Sequence, residues 1–391
     1  MSERFLETPN PFPRESALGW TLRAAELNGL PNALKLVDLC KSSRTTTSLV
    51  KFNPGELASW FGKTPSQLEF MSYKSLRKND PPLFRKQPVA SKMLNLLNPR
   101  ICPSCVQEDG YIHALWDLDL VTVCPTHGIS LVSRCSACDK HLSWKRPGLL
   151  LCACGAKIES DGVQVSKSLV IMHKQLEITA YSKQTKTPRH LDIGKGSLKD
   201  ISLRFLIKFI EATARMSIPK GRARMALSVS EKNQILEKPA ELLSDWPIKF
   251  CDFLDLLHWK PHPESKRASI FCEKSFLGYY IEKLFAAPED YMEGAEVLIT
   301  LLDQILKYPN SGVYSELPLF SIWYSRLKDK NYCSVSDAVG PAPSTIPKGT
   351  GELCLTSQTN KAADYVSKLR SKKPASDIWL VNRQGASSWL L

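Results

Sequence analysis

Apolar residues first recur at helical spacing in residues 14–29 of the chain. Leu18, Leu22 and Ala25 lie at positions i, i+4 and i+7, so they share one face of a helix. An Asn-Gly pair follows the last of them, and such a pair commonly ends a helix. The segment therefore predicts a short amphipathic helix with a single buried stripe.

The same periodicity dominates the chain from about Ser166 onward. In residues 203–214, apolar side chains occupy one helical face and charged side chains occupy the other. Residues 242–257 hold a D-W-P element followed by another predicted helix, and further helical segments are predicted at 276–285 and 295–306. The hydrophobic pattern as a whole predicts a mostly α fold.

Two shorter helical patterns meet at Gly62. Leu57, Trp60 and Phe61 form one stripe before the glycine, and the T-P-S-Q sequence after it resembles a capping box with proline at the first helical position. Two short helices joined at a glycine predict either a helix-turn-helix or a plain αα-hairpin. The pattern leaves both alternatives open.

A period of two replaces the helical period in the middle of the chain. Residues 116–124 alternate partly between apolar and polar side chains, as does the S-L-V-S-R-C sequence that ends at Cys135, so short strands are predicted in a zinc-ribbon-like β module. Residues 334–359, rich in Gly, Pro, Ser and Thr, predict a linker. We therefore expect a helix-turn-helix-like helical domain at residues 1–99, a double zinc-binding module at 100–160, a C-terminal helical domain at 161–333, and a linker with a tail at 334–391.

Cysteine usage defines the chemistry of the middle region. Seven of the twelve cysteines lie between residues 102 and 155, in four half-sites that read C-P-S-C, C-P-T-H, C-S-A-C and C-A-C. Two ligands separated by two residues can point into one small volume, so each half-site supplies half of a tetrahedral shell and two half-sites complete it. The sequence therefore predicts two Zn²⁺ ions. The candidate ligands are Cys102, Cys105, Cys124 and His127 for one ion, and Cys135, Cys138, Cys152 and Cys154 for the other.

Several alternatives accompany this prediction. The grouping follows chain order, and an interleaved pairing of the first half-site with the third stays open. His127 is chosen over His113 and His141 because it alone completes a C-x-x-H half-site. A redox pair or a set of disulfides is the competing interpretation, but four half-sites within about fifty residues favour metal. Since each site would have four protein ligands and no open position, we expect structural sites and no catalytic residues.

Charge points to polyanionic partners. The chain has 52 basic and 39 acidic residues and a net charge of +13, which favours nucleic acid or a nucleoprotein complex. The sequence has neither an apolar leader nor a run of eighteen apolar residues, so we expect a cytoplasmic protein with no membrane partner. Basic residues that could contact phosphate, or simply form solvated surface, are Lys63, Lys74, Arg77, Lys78, Lys220, Arg222 and Arg224.

Three segments occur in a recognisable order. They read F-P-R-E-S-A-L-G-W-T-L-R-A-A at residues 12–25, R-I-C-P-S-C-V-Q-E-D-G-Y-I-H-A-L-W-D-L at 100–118, and V-C-P-T-H-G-I-S-L at 123–131. This set resembles the TniQ/TnsD family of transposition target-selection proteins. The resemblance covers residues 8–160 and extends more loosely to the helical pattern at 242–257. It carries the metal-ligand role onto the same eight residues.

The resemblance implies a non-enzymatic adaptor of DNA transposition. Such proteins mark the insertion site and recruit an AAA+ ATPase regulator, which brings the transposase. TnsD-like members bind a defined DNA site themselves, whereas shorter members dock on an RNA-guided, Cascade-type CRISPR effector complex, sometimes as a homodimer. The length of 391 residues favours the shorter branch. The alternative is a sequence-specific DNA-binding protein, either an attachment-site binder or a transcriptional regulator.

Overall fold

The computed structural model describes residues 4–40, 52–74, 80–182, 198, 201–216, 227–258, 280–281 and 283–305. These residues contain ten α-helices, three 3-10 helices and one short antiparallel hairpin. The mostly α fold class with a small β part is therefore confirmed. The α-helices are α1 (Ala17–Leu27), α2 (Ala33–Leu39), α3 (Ser66–Glu69), α4 (Pro103–Asp109), α5 (Lys167–Tyr181), α6 (Leu203–Met216), α7 (Val229–Ser244), α8 (Ile248–His258), α9 (Pro288–Glu293) and α10 (Ala295–Ile305). The 3-10 helices are Pro54–Phe61, Ser91–Met93 and Ala114–Asp117, and the hairpin pairs β1 (Leu83–Phe84) with β2 (Gln87–Pro88).

The chain divides into two compact units. The first comprises Met1–Ser197 with Leu206–Ser244, and the second comprises Leu198–Phe205 with Asp245–Leu391. The predicted four-part domain division stays a prediction. None of the helices in the described ranges is both long enough and apolar enough to cross a membrane.

Helix α1 forms where the apolar pattern predicts it. The Ser16 side chain caps its first turn by accepting a hydrogen bond from the Gly19 N–H, and Asn28 closes its last turn. The predicted stripe of Leu18, Leu22 and Ala25 is buried. α1 is thus a core helix of the first unit.

The start of α1 is fixed against the segment that follows α4. The Ser16 N–H donates to the Ile112 carbonyl at 2.8 Å, and the Ala114 N–H donates to the Arg14 carbonyl at 2.8 Å. A Cβ added at Gly19 would lie 2.8 Å from the Ile112 Cβ, closer than real Cβ atoms approach. Glycine at this position therefore permits the contact between the helix and the metal-binding region.

The short helices around Gly62 are also present. The first, Pro54–Phe61, is a 3-10 helix that ends at Gly62 with φ of +61°, and the second, α3, is a single turn of four residues. The Gln67 side chain accepts from the Thr64 N–H at 2.7 Å, as the capping-box pattern predicts. A helix-turn-helix role for this pair stays a prediction.

The strand predicted at residues 116–124 is wrong. Its first residues belong to the 3-10 helix Ala114–Asp117, and residues 114–118 are all buried, so no alternation between a core face and a solvent face exists there. Pairing in this region consists of isolated bridges such as Val123–Ser130 and Ile101–Val132. The polar positions Asp117 and Thr122 of the pattern are themselves buried, so the alternation does not mark a solvent-facing side of a strand.

The helix predicted after the D-W-P element, within residues 242–257, is confirmed. α7 ends at Ser244 and α8 begins at Ile248, with Trp246-Pro247 between them. Proline lacks the N–H that a continuous helix needs and biases the preceding residue away from helical dihedrals. The D-W-P element therefore separates the two helices.

In the second unit, Arg204 links α6 to α9. Its guanidinium lies 2.8 Å from both Asp290 and Glu293, instead of facing solvent as the charged side of the α6 pattern predicts. The predicted segment at residues 295–306 agrees with α10, whereas half of the predicted helix at 276–285 lies outside the described residues.

Candidate metal centres

The first cluster is built on the N-terminal end of α4. Cys102 caps this helix and Pro103 takes its first position, so Cys105 lies one turn further along the same face. The other half-site is a tight turn in which Gly128, with φ of +65°, returns its N–H to the Cys124 carbonyl at 2.9 Å. The turn places the Cys124 and His127 side chains opposite the two α4 cysteines.

The ligand atoms of this cluster have the separations of a filled tetrahedral shell. The His127 Nδ1 lies 3.5, 3.2 and 3.5 Å from the Sγ atoms of Cys102, Cys105 and Cys124, and the Cys105 and Cys124 Sγ atoms are 3.4 Å apart. Ordinary Zn–S and Zn–N bond lengths give tetrahedral edges of roughly 3.8 Å between sulfurs and roughly 3.6 Å between sulfur and nitrogen. The donor set and its spacing fit Zn²⁺.

A carboxylate orients the histidine of the first cluster. The His127 Nε2 lies 2.9 Å from the Glu108 Oε1, so Glu108 holds the ring with Nδ1 toward the thiolates. Carboxylate–histidine–metal arrangements of this kind fix the tautomer and raise the basicity of the ligand. Spacing of the metal ligands did not identify Glu108; its position three residues after Cys105 on a short helix is the signal that could have done so.

The second cluster brings together Cys135, Cys138, Cys152 and Cys154. Two of its sulfur pairs, Cys135–Cys154 and Cys138–Cys152, are 3.8 Å apart, which matches the edge of a four-thiolate zinc site. The C-x-C half-site closes at Gly155, with φ of +86°, which donates its N–H to the Cys152 carbonyl at 3.0 Å. Cys154 is exposed, so this cluster is the more open of the two.

The structure groups the half-sites in chain order. In each cluster, one ligand atom per residue lies within 4.8 Å of all the others, and each group could hold a metal ion. His113 instead bonds Asp109 at 2.7 Å, and the His141 Nε2 lies 3.1 Å from Arg134. A further group of Cys105, Asp109 and His113 shares Cys105 with the first cluster and so competes with it for one thiolate.

A buried histidine joins α5 to the loop that leads into the first cluster. The His173 Nδ1–H donates to the Leu169 carbonyl at 2.8 Å, and the Nε2 accepts from the Thr122 N–H at 3.2 Å. Only the neutral ring can accept at Nε2. Burial lowers the pKa of His173 to about 4, so the ring stays neutral in the folded protein at physiological pH.

This histidine predicts a pH dependence of stability. Its folded pKa lies below the unfolded value, so the unfolded chain binds the proton first and the stabilisation, complete above about pH 6.5, declines as the pH falls. Between pH 7.5 and 5.5 the free energy of unfolding should lose roughly 1.4 kcal/mol through this residue. The measurement is urea unfolding of metal-saturated protein at both pH values, for the wild type and for His173→Gln.

Comparing the wild type with His173→Gln isolates the contribution of His173 to the pH dependence of the free energy of unfolding. Burial raises the pKa of Asp117 to about 6, and that carboxyl titrates in the opposite sense, but it does so in both proteins and cancels in the difference. Equal pH dependence of the two proteins would contradict a buried neutral His173.

The candidate nucleic-acid residues are only partly covered by the structure. The Lys63 Nζ donates to the Asn10 side chain at 2.7 Å, and Lys74 is exposed. Arg77, Lys78, Lys220, Arg222 and Arg224 lie outside the described residues. Contact between these side chains and phosphate stays a prediction.

Comparison with known proteins supports the resemblance found in the sequence. A family model described as TniQ matches residues 7–131, and no curated protein matches the chain. The matched segment contains α1, α4 and all four residues of the first cluster, whereas the second cluster, from Cys135 to Cys154, follows it. A TniQ domain indicates a transposition-associated role in target selection or DNA binding. Residues 7–131 of the chain are therefore similar to a TniQ domain.

Proposed function

We propose that the chain is a non-enzymatic adaptor that selects the target site for DNA transposition. The match of residues 7–131 to the TniQ family carries this proposal, since that family generally acts without catalysis. The adaptor links target DNA, or an RNA-guided Cascade-type effector complex, to an AAA+ ATPase regulator and through it to the transposase. A homodimer is compatible with this role, and no small-molecule substrate is part of it.

Two structural Zn²⁺ ions are part of the proposal. Each cluster offers four protein side chains, which fill a tetrahedral shell and leave no position for a substrate or a reactive water. Bound zinc cross-links the two half-sites of each cluster, which are separated in the sequence. Two neighbouring residues hold the surroundings in place: Glu108 orients His127, and His173 holds α5 against the loop before Cys124.

The partner preference rests on charge. A net charge of +13 favours a polyanionic partner, and both target DNA and an RNA-guided complex satisfy it. Direct sequence reading through the helices around Gly62 is the alternative function. With only four residues, α3 offers little surface to a DNA groove, so docking on a larger complex is the branch we favour.

The test is a transposition assay that records where insertions occur. Cells carry the transposase, the AAA+ regulator and the target-recognition genes of the same element, with or without this chain. Deletion should abolish insertion at the preferred site, while the transposase keeps its ability to cut and join DNA ends. An unchanged distribution of insertion sites would contradict the proposal.

A binding experiment separates the two branches. Direct DNA recognition predicts a footprint of the purified protein on one sequence, with an affinity that falls steeply as salt rises. Docking on an RNA-guided complex predicts co-purification with that complex and no footprint of the protein alone.

A further inference from the structure

Arg146 is a buried cation beside the second cluster. It lies between the two half-sites in sequence and is 1% exposed, and it lines the same cavity as Cys138, Cys152 and Cys154. The Nε donates to the Gly148 carbonyl at 3.1 Å and the Nη1 to the Ser143 carbonyl at 3.0 Å. The buried Nη2 has no hydrogen-bond partner.

The carbonyl groups that accept hydrogen bonds from Arg146 do not balance the positive charge of its guanidinium. Both acceptors are neutral carbonyls, and the face of the Trp144 ring, 5.6 Å from the guanidinium carbon, adds a weak cation–π contact. The negative groups that act on Arg146 are the Cys152 thiolate and Glu26, and Glu26 accepts from the Leu149 N–H at 2.9 Å. An arginine enclosed to this degree is unfavourable unless a nearby negative charge compensates it.

Glu26 supplies one such charge, and a loaded second cluster, which includes Cys152, supplies more. Four thiolates around one Zn²⁺ carry a net charge of −2, whereas the first cluster, with a neutral histidine, carries −1. Two of the four ligands, Cys135 and Cys152, are buried, and a buried negative charge is itself unfavourable, so the cluster and the arginine stabilise each other. Burial lowers the pKa of Arg146 to about 10, and the guanidinium therefore keeps its charge at neutral pH.

We propose that Arg146 is the counter-cation of the second cluster and that its charge, acting through the thiolates without touching the metal, sets the metal affinity of that cluster. The inference rests on the zinc loading proposed above. It makes Arg146 a positioning residue that couples metal occupancy to the folding of residues 135–154.

The test separates charge from packing with two variants of the full chain. Arg146→Lys keeps a positive charge and loses the planar fork, whereas Arg146→Met keeps an apolar stem and loses the charge. Lys145→Met is the matched control, because it removes the same charge from an exposed neighbouring side chain that solvent screens. Chelator competition followed by native mass spectrometry gives the affinities, and cadmium NMR assigns each ion, since four-sulfur and three-sulfur-one-nitrogen sites resonate at different positions.

The expected result is a roughly tenfold or greater weakening of metal binding at the four-cysteine site in Arg146→Met, with Arg146→Lys intermediate. The first cluster and the Lys145→Met variant should keep wild-type affinities. Equal affinities of the Lys and Met variants at the second site, or failure of both variants to fold with metal present, would identify Arg146 as a packing residue and overturn the inference. Absence of a four-sulfur signal in the wild type would overturn the zinc proposal, and the inference with it.

Discussion

Cys105→Ala is expected to release one metal ion and to unfold the first compact unit. The thiolate of Cys105 lies 3.4 Å from that of Cys124 and 3.2 Å from the His127 Nδ1, so its loss opens the centre of the cluster. Zinc binding at structural sites contributes about 10–16 kcal/mol, which equals or exceeds the net stability of most domains. Zinc analysis and circular dichroism should show one bound ion instead of two and a lost thermal transition.

Cys40→Ala is the control for this prediction. Cys40 is a buried cysteine outside both clusters, and burial raises the pKa of its thiol to about 12, so it carries no thiolate. The variant should keep two ions and lose only about 1 kcal/mol of packing energy. If Cys105→Ala retained both ions and the wild-type melting temperature, the cysteine cluster would have no structural role.

Glu15→Gln is expected to destabilise the first unit by about 3 kcal/mol. Both carboxylate oxygens of Glu15 lie 2.7 Å from the guanidinium of Arg23, and the two side chains are 0% and 12% exposed. Glutamine keeps one oxygen acceptor but no charge, so the partly enclosed arginine retains only neutral partners, among them the Asn10 carbonyl at 2.8 Å and the Phe12 ring at 4.8 Å. Urea unfolding at pH 7 measures the loss.

The double variant Glu15→Gln/Arg23→Met tests the physical reason. Because replacing both members of a buried pair removes the unpaired charge, the double variant should be more stable than the sum of the single effects predicts. Glu241→Gln is the surface control: its partner Lys238 is 3.3 Å away, but the side chains are 49% and 40% exposed, and the loss should stay below about 1 kcal/mol. Losses of equal size at Glu15 and Glu241 would contradict a buried ion pair.

Features that depend on neighbours in sequence are those the sequence predicts well. The start and end of α1 follow from a local apolar stripe and an Asn-Gly stop. The two cysteine clusters follow from half-sites of three or four residues, since close ligand spacing leaves little conformational freedom. The order in which half-sites combine is a tertiary property, and the structure resolves it in favour of chain order.

Features that depend on contacts between residues distant in the sequence are not predicted by local sequence patterns. The ring of His173 meets the backbone of Thr122, 51 residues earlier, and no local pattern marks either residue. Glu15 has the composition of a surface residue but is enclosed with Arg23, eight residues later, and with the side chain of Arg85, which donates to its carbonyl. Asp117 is a polar position of the alternating pattern but is buried and bonded to the Tyr73 hydroxyl, 44 residues earlier, so the period-two rule predicts a strand where a 3-10 helix exists.

The pairing of Ser16 and Arg14 with Ile112 and Ala114 has a consequence for biosynthesis. The first helix leaves the ribosome long before the segment that satisfies its leading backbone groups, and that segment lies between the two halves of a metal cluster that closes only at His127. Docking of α1 can therefore be completed only after residues 112–114 have been synthesised. If the cluster holds zinc as we propose, a cell starved of zinc should leave the nascent α1 segment undocked and open to chaperones and proteases.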